Sequence, residues 1–167
     1  MKLDRDTIII IVNIVITGIS GIGAYNSFRY FKKSKHITIY AQTNKALGEL
    51  TEILKKLPEA LASTSLTKKG YNPGNKIRDI GTELANHLNE IMSSIPPDYS
   101  QKFVELQKSE SFDLSKYINS LIDGTAIVEE NGRKTLARPS FDTCQECLRK
   151  MQEFLKEKIS EEEEKLK

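Results

Sequence analysis

Cys144-Gln145-Glu146-Cys147 is the one spacing in this chain that suggests thiol or metal chemistry. A structural zinc needs four ligands, and a CxxC pair supplies only two. No second cysteine pair exists, and the two histidines, His36 and His87, stand far from each other. A redox pair belongs at a helix start beside a strand. Here Cys144 falls on an apolar helical stripe, so both cysteines read as small buried or half-buried residues.

Glu83, His87 and Glu90 form the single carboxylate–histidine cluster on one helix. Di-iron bundles repeat Glu-x-x-His on two helices, and that motif is absent here. The cluster reads as a boundary histidine with surface partners. No Gly-x-Ser-x-Gly elbow occurs. Gly18, Gly21 and Gly23 lie inside an apolar run with no strand before them, which excludes a phosphate loop. No catalytic, cofactor or metal residues are therefore assigned.

The elements that must carry these residues begin with the run from Thr7 to Phe28, which has no charged side chain. As a helix it extends about 33 Å, enough for a hydrocarbon core of about 30 Å. It is expected to be a single transmembrane helix. A cleaved signal peptide has a shorter apolar region and a small-residue cleavage site, which Ile22-Gly23-Ala24 imitates poorly. Lys2 and Arg5 precede the run; Arg29, Lys32, Lys33 and Lys35 follow it. The larger basic count places the rest of the chain in the cytosol, at the cell membrane. Those four basic residues are also the expected contacts to lipid headgroups.

The run is two-faced. Asn13, Thr17, Ser20, Gly21, Ala24 and Ser27 recur at helical spacing opposite an Ile/Val surface. Small residues let helices approach closely in lipid, and Asn or Thr can bond across the contact. This stripe is expected to pack on a second copy of the chain or on another transmembrane helix.

Roughly 130 residues remain beyond the span and its flank, enough for one domain. The expected division is a flank at 1–6, the span at 7–28, a basic segment at 29–35, a bundle at 36–159 and a charged, frayed tail at 160–167. The net charge of +2 is too balanced for a nucleic-acid partner. With no Trp and few aromatics, the core must be aliphatic.

No proline precedes Pro58, so the first helix is expected to continue from the membrane into the cytosol. Leu47, Leu50, Leu54, Leu57 and Leu61 form its apolar seam, with Tyr30, Ile37 and Tyr40 extending the register backward. A loop is expected from Ala62 to Asn75. Ile77, Ile80, Leu84, Leu88, Ile91 and Ile95 mark the next helix, ended by Pro96-Pro97. Asp98 or Ser100 is the expected cap of the following segment. That segment carries Tyr99, Phe103 and Leu106, then Leu114, Tyr117, Ile118 and Leu121, as one kinked helix or two short ones.

Asn131-Gly132 predicts a hairpin, with Ile127 opposite Leu136, Val128 opposite Thr135, Glu129 opposite Lys134 and Glu130 opposite Arg133. The last helix is expected after Pro139, capped by Ser140. Its inward stripe is Phe141, Cys144, Leu148, Met151, Leu155 and Ile159, broadened by Phe154. The fold class is thus mainly all-α: a transmembrane helix continuing into an antiparallel bundle of about four helices, with one small hairpin.

The function expected from these features is non-enzymatic: an interaction, adaptor or regulatory module at the cytoplasmic membrane face. Its partners are the membrane, a second copy or another transmembrane helix, and a protein docking on the bundle or hairpin. The alternatives are a membrane-associated enzyme or ligand sensor using His87 or the cysteine pair, and a small membrane-perturbing toxin or lysis factor.

Overall fold

A computed structural model describes residues 5–63, 73–130 and 133–167, with side chains for 13, 16–63, 74–129 and 135–167. The chain is mainly helical. Helix α1 (Arg5–Ser63) precedes α2 (Pro73–Ser94) and α3 (Pro97–Leu106). Two short strands, β1 (Lys108–Ser109) and β2 (Phe112–Asp113), lead to α4 (Leu114–Asp123). Strands β3 (Ile127–Glu130) and β4 (Arg133–Leu136) then lead to α5 (Arg138–Leu166).

Helix α1 has 59 residues, so it is about 90 Å long. Its C-terminal half packs between α2 and α5. Ala46, Leu50, Ile53, Leu57 and Ala60 are its buried line. The leucine seam is therefore rotated slightly: Leu50 and Leu57 are buried, while Leu47, Leu54 and Leu61 flank the core. The backward extension differs more. Tyr30 and Ile37 are exposed, and Ile39 and Thr43 face inward instead. Thr43 is tolerated there because its hydroxyl donates to the Ile39 carbonyl at 2.7 Å, which satisfies the buried oxygen locally. Pro58 lies inside the helix, on its exposed side.

All six apolar residues expected on the α2 face are buried. Gly81 lets α4 approach this face. A Cβ there would lie 3.0 Å from Leu121 Cβ and from Ile122 Cγ1. The segment after Pro97 is two short helices, not one. The β1–β2 pair separates them, joining Lys108 to Asp113 and Ser109 to Phe112. Neither Asp98 nor Ser100 caps α3, which starts at Pro97 without a side-chain cap. A proline at a helix start leaves no amide to satisfy, which removes the need for one. Asp113 instead caps α4 by accepting from the Lys116 amide at 3.2 Å.

The β3–β4 register matches the expected pairs at all four positions; the turn residues Asn131 and Gly132 lie outside the described residues, as does the loop at 64–72. Leu136 is buried and Ile127 packs on the core, so the hairpin is anchored to the bundle. Helix α5 starts at Arg138, before Pro139, and Ser140 is not its cap. Its inward stripe is as expected from Phe141 to Leu155, with Cys147 added and Ile159 only half-buried.

The end of α5 departs from expectation. The acidic run is not frayed: the helix continues to Leu166, and Glu162 is only 1% exposed. Hydrogen bonds to α1 and α3 replace the apolar contacts this segment lacks.

Among the described residues, no helix is long and apolar enough to cross a membrane. The transmembrane expectation is thus unsupported by them. The described part of the run carries Asn13, Thr17, Ser20, Asn26 and Ser27, which dilute its apolar character. The Ile/Val-rich side chains of residues 7–12, 14 and 15 lie outside the described set.

Candidate functional site

Chemistry at the Glu83–His87–Glu90 cluster dissolves into helix pairing. Each side chain takes a different partner on α1: Lys56 bonds Glu83, Lys45 reaches Glu90 at 3.0 Å, and His87 Nδ1 meets Glu49 Oε2 at 2.7 Å. The ladder runs in opposite directions along the two helices, which fixes them as antiparallel. Glu83 is held below the usual carboxylate range, chiefly by its hydrogen bond from Lys56.

The cysteines face the core. Cys144 is 1% exposed, and burial pushes its thiol up. Cys147 donates to the Leu106 carbonyl at 3.2 Å, and burial raises it to about 11. A thiol so protonated at neutral pH is a poor nucleophile and a poor ligand. His87 is bonded to Glu49 on α1 and Cys147 to Leu106 on α3, so their bonds join them to different elements. Tyr117 is also buried, with its hydroxyl unpartnered among the described residues. No group of three His, Cys, Asp or Glu side chains suited to a metal occurs among the described residues.

What remains is the exposed half of α1. Every residue from Ile16 to Lys35 is exposed, Ile19 and Ile22 at 65% and Phe31 at 71%. The stripe residues Asn13, Thr17, Ser20, Gly21, Ala24 and Ser27 are all exposed too, on one projecting arm. Among the described residues, nothing beyond the local helix backbone and chain neighbours comes within 4 Å of a Cβ built at Gly18, Gly21 or Gly23. Thr17 donates to the Asn13 carbonyl at 2.8 Å. Its hydroxyl proton is therefore used within the helix, leaving the Asn13 side chain and the Ser20 and Ser27 hydroxyls as exposed polar groups of the stripe.

Where the arm enters the bundle, α3 and α5 close on it. Glu162 accepts from Tyr99 at 3.0 Å and from Lys165 at 2.6 Å, and meets His36 Nδ1 at 2.7 Å. Tyr40 donates to Glu163 at 3.1 Å. Burial opposes ionisation of Glu162, but the bonds from Lys165, His36 and Tyr99 outweigh it and hold its carboxyl below the usual range. Burial and the neighbouring Glu162 both push the Tyr99 phenol up.

The four expected headgroup residues divide here. Lys35 turns toward α3 and pairs with Asp98 at 3.5 Å. Arg29, Lys32 and Lys33 turn the other way, into an open crevice of about 770 Å³ beside the end of α5. Lys165 and Lys167 line the opposite wall. Sequence spacing gives no sign of this meeting, since His36 and Glu162 are 126 positions apart.

The fold and this surface define a mainly helical bundle with a small hairpin, a long projecting helical arm and a basic neck. Comparison with protein-family models, curated proteins and solved structures finds no match.

Proposed function

We propose that this chain is a membrane-anchored helical-bundle protein that acts by binding, as an interaction or regulatory module at the cytoplasmic membrane face. The observation that carries this reading is the arm, with each residue from Ile16 to Lys35 exposed. A helix is marginal in water without tertiary packing, and among the described residues none of this arm from Ile16 to Lys35 is buried. A lipid environment or a second helix would supply what is missing. The uncharged run from Thr7 to Phe28 and the basic residues that follow it favour lipid. The Asn13–Ser27 stripe would then face another transmembrane helix, a second copy of this chain being the simplest partner.

The test is alkaline extraction of membranes from cells expressing the full chain, followed by crosslinking. Retention in the membrane pellet is expected, with crosslinked dimers. Gly21→Leu with Ala24→Leu should leave retention unchanged and reduce the dimer severalfold, because the bulky side chains keep the backbones apart. Release into the supernatant would refute anchoring. Unchanged crosslinking would refute the stripe as the contact.

A further inference from the structure

We infer that the crevice between α1 and the end of α5 is a binding site for a phosphate-bearing anion. Its cationic wall is composite. Arg29, Lys32 and Lys33 come from α1, Lys165 from the last turn of α5 and Lys167 from the residue after it; His36, also in the lining, is bonded to Glu162. No acidic side chain lines it. Among the described residues, Arg29, Lys32, Lys33 and Lys167 have no ion-pair partner, whereas Lys165 is partly offset by Glu162. Near the end of α5, Glu161 pairs with Lys158 and Glu163 accepts from Tyr40, while Glu164 is exposed outside the crevice lining.

This concentration of like charge is unfavourable unless an anion or solvent compensates it. A phosphate group suits it, since Arg offers a planar fork of donors and Lys a mobile point charge. Tyr25 and Phe28 complete the crevice on the arm side. They give an apolar edge continuous with the uncharged run. With the arm in a membrane, as proposed above, that edge lies at headgroup level, and the ligand is the headgroup phosphate of an anionic lipid. A free phosphate ester offers the same chemistry from solution.

The consequence is mechanical. The end of α5 is antiparallel to α1 and fastened to it through Glu162 and Glu163. An anion held between Lys32 and Lys167 would fix the bundle's tilt on the membrane through two elements, not one. Lys35, paired with Asp98 outside the crevice, takes no part.

Calorimetric titration of the full chain in uncharged detergent tests this. The two probes are dioctanoyl phosphatidic acid in mixed micelles and pyrophosphate in solution. Binding of at least one probe is expected, and which one binds distinguishes lipid from soluble phosphate. Lys167→Glu should weaken binding about tenfold, as should the pair Lys165→Gln and Lys167→Gln. Lys35→Gln should leave it within about twofold. Lys167 has no partner whose loss would disturb the fold, so its variant guards against a merely structural effect. Absence of binding by either probe would overturn the inference and leave anchoring intact. So would binding lost with Arg29→Gln, Lys32→Gln and Lys33→Gln yet unchanged by Lys167→Glu. Should alkali release the chain while pyrophosphate binding still depends on Lys167, the crevice stands and the anchor falls.

Discussion

The two halves of α1 are one continuous helix with opposite surroundings. From Ile39 to Ser63 it buries a line of apolar residues between α2 and α5. From Ile16 to Lys35 it buries nothing, although Ile, Tyr and Phe are frequent there. Apolar content alone does not separate the halves. Pattern does: the embedded half keeps its apolar residues in one seam, with Lys45, Glu49, Glu52 and Lys55 outside it, whereas the arm has no charge before Arg29. A seam with a charged back suits a water-soluble bundle. An uncharged surface all round suits a helix that meets lipid or other helices on every side.

The comparison breaks most directly at paired alanine substitutions. Leu50 is fully buried, and Leu50→Ala should cost about 2–5 kcal/mol in denaturant unfolding of the full chain in uncharged detergent. Ile19→Ala should change bundle stability by less than about 0.5 kcal/mol, because Ile19 is exposed on the arm. A comparable loss at both positions would mean that the arm folds back on the bundle.

Within the bundle, the closest approach of two helices offers the next largest effect. Gly81→Val should cost about 1–3 kcal/mol through overpacking against Leu121 and Ile122. Gly21→Val on the arm should leave bundle unfolding unchanged, since open space surrounds it. The same unfolding midpoint for Gly81→Val and wild type would show that α4 yields freely.

These contrasts mark what could be read from the chain. The α2 face, the α4 stripe and the β3–β4 register were legible because each follows from local spacing: period 3.6 in a helix, period 2 across a turn. Gly81 was not, because a glycine inside a good helical pattern gives no hint of the neighbour that needs the space. The caps at Asp98, Ser100 and Ser140 failed because Pro97 and Pro139 each occupy a helix's opening positions and displace its start. The acidic tail at 160–167 looked solvated because it lacks apolar spacing. Its order comes from hydrogen bonds to His36, Tyr40 and Tyr99, which no local pattern encodes. The same long-range meeting assembles the basic crevice, so only its α1 wall was visible in sequence.

The neck joins the two halves, and Glu162 is its centre. Replacing it with Gln keeps the shape but removes the charge that three donors address. Hydrogen bonds to a charged group contribute about 1.5–3 kcal/mol each in isolation, less when several share one acceptor. Glu162→Gln should therefore cost about 1–2 kcal/mol, less than either core substitution. The pH dependence has a definite sign. The folded carboxyl lies below its ordinary value of 4.5, so the unfolded chain takes up the proton first as acid is added. The stabilisation is complete well above pH 4.5 and declines as pH falls through the lowered folded value. Unfolding followed from pH 7 downward should show wild type and Glu162→Gln converging in acid. A gap that persists unchanged at low pH would assign the contribution of Glu162 to packing instead of charge. The arm would then be tied to the bundle by shape alone.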